Sequence, residues 1–461
     1  MTDSASLPSS PALSNLWTDP VESQFFAPDG SNREVLRRMG YAFVDLITDS
    51  VLGTAQTSFV AEESPFNMAV PPVGLGLADL LAQVQREILP RALNLQHPGY
   101  MGHMDSVAAT ITIWADALIS ALNNNMLSHE LAPIFTDLEA QLMTWFGQRF
   151  GLGATAFGTL TAGGTLANMT ALLLARNHHS PHSKHQGITA PMAAFVSDAA
   201  HTSFAKAMNV LGLGQEHLWR VPTNQRGEII PEALEAAISQ AKAAGQTPFF
   251  VAAIAGTTVT GAIDDIRAVG QIARAEGCWF HVDAAYGGAG IFAPELAPLF
   301  AGCETADSIT FNPQKWMWVS RTCAMVLVRH RDILREGIDN DLPYMADNPL
   351  NFGNLNLQGT RRTDSLKLWL ALQAIGTEGY RQLVERSMVQ AQQVRQWVDH
   401  APEVELVCEP TLNIVCFRGK GEFRSADLQK QWIKEGKRWF SLPLWKGERI
   451  LKAVVLHPRG W

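Results

Sequence analysis

The spacing of apolar residues changes character along this chain. At residues 32–52 they recur with a helical period (Val35, Leu36, Met39, Phe43, Val44, Ile47), behind Ser31 or Asn32 as a cap. A Pro/Gly/Val-rich stretch at 65–75 predicts extended chain, and 77–88 a second amphipathic helix. Residues 107–150 read as one long helical region. From 155 to 328, short apolar runs at 193–197, 249–254, 279–283, 308–311 and 324–328 alternate with helical segments at 166–176, 231–244 and 266–276. This alternation predicts an α/β fold with a mainly parallel sheet covered by helices, and ligands at the carboxyl ends of its strands.

Residues 331–356 are rich in Asn, Asp, Gly and Pro and read as a loop whose length points to function or disorder. Residues 365–398 are strongly helical, and the remainder alternates short strands with turns, as a small α+β domain would. The expected organisation is a flexible arm (1–30), an N-terminal helical segment (31–106), a large domain (107–345) and a small C-terminal domain (346–461). The His-rich tract at 177–185 reads as a solvated loop. Neither a carboxylate nor a helical His spacing accompanies it, and no metal is expected.

Composition narrows the class. A net charge of −8 over 461 residues argues against a nucleic-acid surface. No apolar run approaches the roughly 18 residues of a membrane span, and the first residues lack the basic-then-apolar pattern of a signal peptide. A cytoplasmic protein is expected. Cys278, Cys303, Cys323, Cys408 and Cys416 are odd in number and widely spaced, which fits reduced thiols better than a disulfide framework.

Two short segments carry the chemistry. Phe280-His281-Val282-Asp283-Ala284-Ala285 ends an apolar strand in an acid and small residues, and Asn312-Pro313-Gln314-Lys315-Trp316 sets one lysine in an apolar turn. A buried lysine is a better nucleophile and can hold an aldehyde as a Schiff base. A buried acid needs a partner, which a protonated pyridine nitrogen supplies. Together they are what pyridoxal 5'-phosphate (PLP) requires. Ala285 is small enough for a ring to lie flat against it. Gly163-Gly164-Thr165 precedes a helix and offers N–H groups to a phosphate, with Asn312 as a further ligand. His201 and Thr258 each follow a predicted strand, on the side where the site should lie.

With these residues in place, the chain resembles the group II PLP-dependent amino-acid decarboxylases from about residue 32 to its C-terminus. The strongest matches are His281-Val282-Asp283-Ala284-Ala285-Tyr286 and Asn312-Pro313-Gln314-Lys315-Trp316. The resemblance implies the PLP-dependent transferase fold of type I, aspartate-aminotransferase-like, with a seven-stranded sheet. It also implies a homodimer with intertwined N-terminal segments and sites at the interface. In that family pattern Lys315 holds the cofactor, Asp283 pairs with the pyridine nitrogen, His201 stacks on the ring and Thr258 stands near its polar edge. Gly164, Thr165 and Asn312 hold the phosphate, and Ser106 lies in the substrate pocket close to it. Tyr344 falls at the position of the loop tyrosine that protonates the carbanion carbon after carbon dioxide leaves. Gln314 stands where relatives commonly carry histidine, Leu166 where they are often polar, and many relatives continue through further C-terminal helices beyond the position of Trp461, which fits either a shortened C-terminal domain or an incomplete sequence.

The substrate signals lie elsewhere. Residues 123–135 look like a segment of glutamate and cysteine-sulfinate decarboxylases. Residues 100–104, Gln314 with 322–325, and 358–362 most resemble bacterial PLP-dependent aspartate 1-decarboxylases. The expected reaction is α-decarboxylation of a small acidic L-amino acid, with L-aspartate to β-alanine as first choice. Candidate donors to the acidic side chain are His103, Asn125, Arg361 and Lys452, the last standing about where glutamate decarboxylases carry an arginine. The alternatives are glutamate or cysteine sulfinate, an aromatic or diamino acid on the same fold, transamination, and an inactive binding protein that keeps the fold.

Overall fold

The computed structural model describes residues 25–52, 58–59, 70–338 and 342–460. Residues 1–24 of the expected arm and 65–69 of the expected extended stretch lie outside them. The chain divides into two compact units, Met1–Tyr100 with Trp432–Trp439, and Met101–Gln431 with Phe440–Trp461. In the first, the helical period forms α1 (Arg33–Val51), whose Ala42 and Leu46 pack with Leu77 and Leu81 of α2 (Leu77–Gln83).

The second unit is built on seven strands: β1 (Phe157–Thr161), β2 (Met192–Ser197), β3 (Leu218–Val221), β4 (Thr247–Ile254), β5 (Trp279–Ala284), β6 (Ser308–Phe311) and β7 (Ala324–Val328). Their order is 1-7-6-5-4-2-3, and only β7 runs antiparallel to its neighbours. Its longer helices up to residue 400 are α3 (Thr110–Leu122), α4 (Pro133–Arg149), α5 (Gly164–His179), α6 (Ser203–Val210), α7 (Pro231–Ala243), α8 (Ile266–Ala275), α9 (Arg331–Ile338) and α10 (Ser365–His400). Residues from α4, α7 and α8 share one core with Val251, Phe280 and Val282, while α5, α6 and α9 share the other with Phe250, Ala252 and Trp279. Both faces of the central strands are therefore covered, which is why they read as unbroken apolar runs. A separate three-stranded antiparallel sheet of β8 (Val404–Cys408), β9 (Ile414–Gly419) and β10 (Leu451–Val454) follows, in the order 10-9-8.

The mainly parallel sheet with flanking helices is the expected architecture; three local expectations are corrected. Residues 107–150 form two helices, because Asn123 adopts the left-handed conformation (φ 48°) that ends α3 and Pro133 opens α4. The loop expected at 331–356 begins with α9, whose Leu334 and Ile338 are buried one turn apart in a helix too short to stand out among polar neighbours. Helix α10 is interrupted at Gly376, where φ is 70°. All five cysteines are free thiols. Among the described residues no helix is long and apolar enough to cross a membrane, and no cluster of metal-ligating side chains occurs.

The sheet delivers its functional ends through close backbone contact. Ala255 N donates to Asp283 O (2.9 Å) and Gly287 N to Ala255 O (3.0 Å), stitching the chain after β4 to the chain after β5. A Cβ on Gly287 would stand 2.4 Å from Ala255 O, and one on Gly256 (φ +104°) 2.8 Å from Gly287 N. Gly287→Ala should therefore lower the unfolding free energy by about 1–3 kcal/mol, as overpacking does, read by urea denaturation; an unchanged midpoint would contradict this contact.

Candidate active site

A cavity of about 480 Å³ is lined by residues from the carboxyl ends of the parallel strands and from the start of α5. Lys315, Asp283, His201, Thr258, Ala285, Gly164, Thr165 and Asn312 all line it, together with Met104, Leu166, Asn168, Met169 and Gln314. Residues far apart in sequence converge here because β2, β4, β5 and β6 are parallel and end on the same edge.

Lys315 sits in a turn closed by Lys315 N to Asn312 O (3.0 Å) and Val319 N to Pro313 O (3.3 Å). The next residue anchors it: Trp316 is fully buried, stacks on Tyr286 at 5.4 Å and 10°, and donates its indole N–H to Ser387 Oγ (2.9 Å). Burial lowers the Lys315 pKa, opposed by the Asp283 and Asp105 carboxylates, so more of it is free amine than of an exposed lysine. Asp283, 5% exposed, accepts from Asn168 Nδ2 (2.8 Å) and Ala285 N (3.1 Å). Ser203 N donates to His201 Nδ1 (3.1 Å), which leaves the ring proton of neutral His201 on Nε2. Burial lowers the His201 pKa and the Asp283 charge opposes it.

The start of α5 also lines the cavity, where the first N–H groups of a helix have no intrahelical partner. A Cβ on Gly164 would stand 2.7 Å from Asn312 Nδ2, so glycine keeps this cradle open. The buried Asn312 amide oxygen has no hydrogen-bond partner. The Gln314 side chain is turned to its own loop, with Oε1 accepting from Cys323 N (2.6 Å).

Six expected residues do not line the cavity; one of them, Lys452, reaches only the backbone of the lining residue Thr258 (3.1 Å). Tyr344 is 67% exposed. Ser106 stands behind Gln314, donating to its carbonyl (3.3 Å). His103 adjoins Met104, and partial burial and the nearby Lys452 charge lower its pKa. The Asn125 side chain caps the backbone N–H groups of Leu127 (3.0 Å) and Arg361 (3.3 Å). The Arg361 guanidinium forms a buried two-pronged pair with Glu139 (2.8 and 3.2 Å), which already satisfies its charge. Conversely, sequence reasoning passed over Asn168. It lies four residues after Gly164 on α5, one turn on and so on the same face, which is a signal that could have found it.

A family model for the pyridoxal-dependent decarboxylase conserved domain matches residues 62–420. The chain belongs to the pyridoxal-dependent decarboxylase family. Tryptophan decarboxylase 2 of Oryza sativa subsp. japonica is 27% identical over 92% of this chain and 91% of its own length. L-2,4-diaminobutyrate decarboxylase of Rhizobium meliloti (strain 1021) is 30% identical over 86% and 81%. The crystal structure of mouse CSAD superposes with a TM-score of 0.87 at 25% identity, covering 93% of this chain and 96% of that one. The protein is a PLP-dependent amino-acid decarboxylase, and its relatives' names cover aromatic, diamino and acidic amino acids.

The residues present fit the cofactor. An open N–H cradle, a buried carboxylate and a lysine of lowered pKa line one cavity and match a phosphate, a ring nitrogen and an aldehyde. Borohydride reduction of the PLP-loaded enzyme followed by peptide mass spectrometry should place the pyridoxyl group on Lys315, and Lys315→Ala should carry none. A label on another lysine would overturn the assignment.

Proposed function

We propose that the enzyme α-decarboxylates a small acidic L-amino acid, in the first instance L-aspartate to β-alanine and carbon dioxide. The observation that carries this reading is Lys452. It is 3% exposed, its Nζ lies 3.1 Å from the carbonyl of the cavity residue Thr258, and among the described residues it has no ion-pair partner. A buried ammonium with no ion-pair partner is costly, and burial pulls its pKa down to about 8, with Cys416 and Asp105 opposing and the Lys315 charge pushing the same way. A substrate carboxylate would supply the missing countercharge. A volume of about 480 Å³ that must also hold the cofactor favours a small side chain over an indole.

In this reading Gly164, Thr165 and Asn312 hold the phosphate, His201 covers the ring beside Ala285, Thr258 stands near its edge, and Asp283 holds a proton on the ring nitrogen. Lys315 holds the aldehyde. The bound cofactor supplies a sink for the electron pair left on Cα as carbon dioxide departs. Tyr344 then gives its hydroxyl proton to Cα, a contribution on the order of 10²–10⁴. A second reading has Lys452 meeting the α-carboxylate that every amino acid carries. An amino-acid panel scored for amine separates the two. Lys452→Met should raise KM for aspartate and glutamate while sparing other substrates. Equal loss across the panel would favour the second reading, and wild-type failure on every acidic amino acid would reject the first.

The proposal includes a homodimer in which Tyr344 serves the other copy's cavity. Trp114, Leu118 and Leu122 occupy successive turns of α3 and are 37%, 47% and 47% exposed, an apolar stripe suited to a second chain. Mixing inactive Lys315→Ala with inactive Tyr344→Phe chains should then restore about a quarter of wild-type activity, since half of randomly paired two-fold dimers contain one intact site. No recovery from a mixture shown to exchange subunits would sink a tyrosine acting between copies.

A further inference from the structure

Four hydrogen bonds connect the start of β5 to the carboxylate at its end. Trp279, His281 and Asp283 are alternate residues of one strand and share a face. Ser308 lies opposite His281 in β6. Trp279 Nε1 is 2.8 Å from Ser308 Oγ, which is 2.8 Å from His281 Nδ1. His281 Nε2 is 3.3 Å from Asn168 Oδ1, and Asn168 Nδ2 is 2.8 Å from Asp283 Oδ2. All of these residues are buried.

The sense of these bonds follows from the two ends. An indole N–H can only donate, so Ser308 accepts from Trp279 and its own proton is available to His281 Nδ1. A carboxylate can only accept, so the Asn168 amide nitrogen faces Asp283 and its oxygen faces His281. With Nδ1 accepting, the single proton of a neutral imidazole must sit on Nε2 and be donated to Asn168. Full burial keeps that ring neutral, with a pKa near 4. Each step therefore donates toward Asp283.

We propose that Trp279, Ser308, His281 and Asn168 form a one-way hydrogen-bond relay that orients the Asp283 carboxylate toward the cofactor's ring nitrogen. The inference rests on Asp283 meeting that nitrogen. Aligned bonds polarise one another, so the last one, onto Asp283, is stronger than an isolated amide contact. The same amide nitrogen of Asn168 also donates to Ser203 Oγ (2.9 Å), and Ser203 N holds His201 Nδ1. One side chain thus sets the acid and, through Ser203, the histidine above the ring in common register. Trp279, Ser308 and His281 are positioning residues, since none of them lines the cavity.

The test has two arms. Nitrogen-15 NMR of histidine-labelled protein without PLP should show His281 protonated on Nε2 alone at neutral pH; the opposite tautomer or a charged ring would overturn the relay whatever the cofactor does. In the second arm, Ser308→Ala should weaken PLP binding roughly two- to tenfold, the worth of about one hydrogen bond, and shift the absorption of the bound cofactor. Trp279→Phe should do the same more weakly in wild type and add nothing in the Ser308→Ala background. Additive losses would mean packing alone, and would overturn the proposal. Should Ser308→Ala not fold, the tautomer and Trp279→Phe alone decide: wild-type affinity and spectrum in that variant would overturn it. Trapping of the cofactor on Lys315 is independent of the relay, so a failed relay and a misassigned site give different results.

Discussion

A carboxylate buried at the end of the central strand is the constraint around which this molecule is arranged. Asp283 gives up most of its water, a loss that must be offset by donors. They come from a helix on one face of the sheet, through Asn168, and from the chain's own turn, through Ala285 N. Its charge also acts on its neighbours. It opposes the effect of burial on both Lys315 and His201, so the acid restores part of the basicity that burial takes from these two cavity residues.

Holding the lysine opposite that acid is a packing problem solved by large side chains. Trp316 is locked between Tyr286 and Ser387, and Tyr286 in turn donates to Asn413 (2.7 Å). The turn that presents Lys315 is thereby tied to the chain after β5, to α10 and to the approach to β9. Glycines at 256 and 287 let the segments beneath approach to backbone contact. The result is a rigid cradle in which a reactive group has little freedom to miss its target.

The polar residues that resembled substrate ligands divide by whether their charge is already met. Arg361 is paired with Glu139, which also accepts from Leu160 N and Thr159 Oγ1, so this ion pair fastens the chain before α10 to α4 and β1. Asn356 adds bonds to Thr159 and Leu160 from the same segment. Removing one partner of such a buried pair would strand the other, and that accounts for the arginine without any substrate. Lys452 has the Thr258 carbonyl at its ammonium and, among the described residues, no ion-pair partner. Sequence proximity could not distinguish these two cations; their neighbours do.

Much of the fold was legible because a parallel sheet with both faces covered imposes long apolar runs, and β6 and β7 appear where those runs lie. Strand β3 was not, since it is a four-residue edge strand with two of its residues outside the core, and α9 was hidden by its brevity. Lys315, Asp283 and the glycine cradle could be read from the chain because their chemistry is local: a residue type, a neighbouring turn, a helix start. The burial of Lys452 could not, because it depends on which carbonyl lies about 3 Å away. By itself the sequence determined the class of fold, the cofactor's chemistry and a candidate lysine and acid. Only the tertiary structure decided which charges are satisfied and which remain open, because burial and pairing are properties of neighbours brought together from distant parts of the chain.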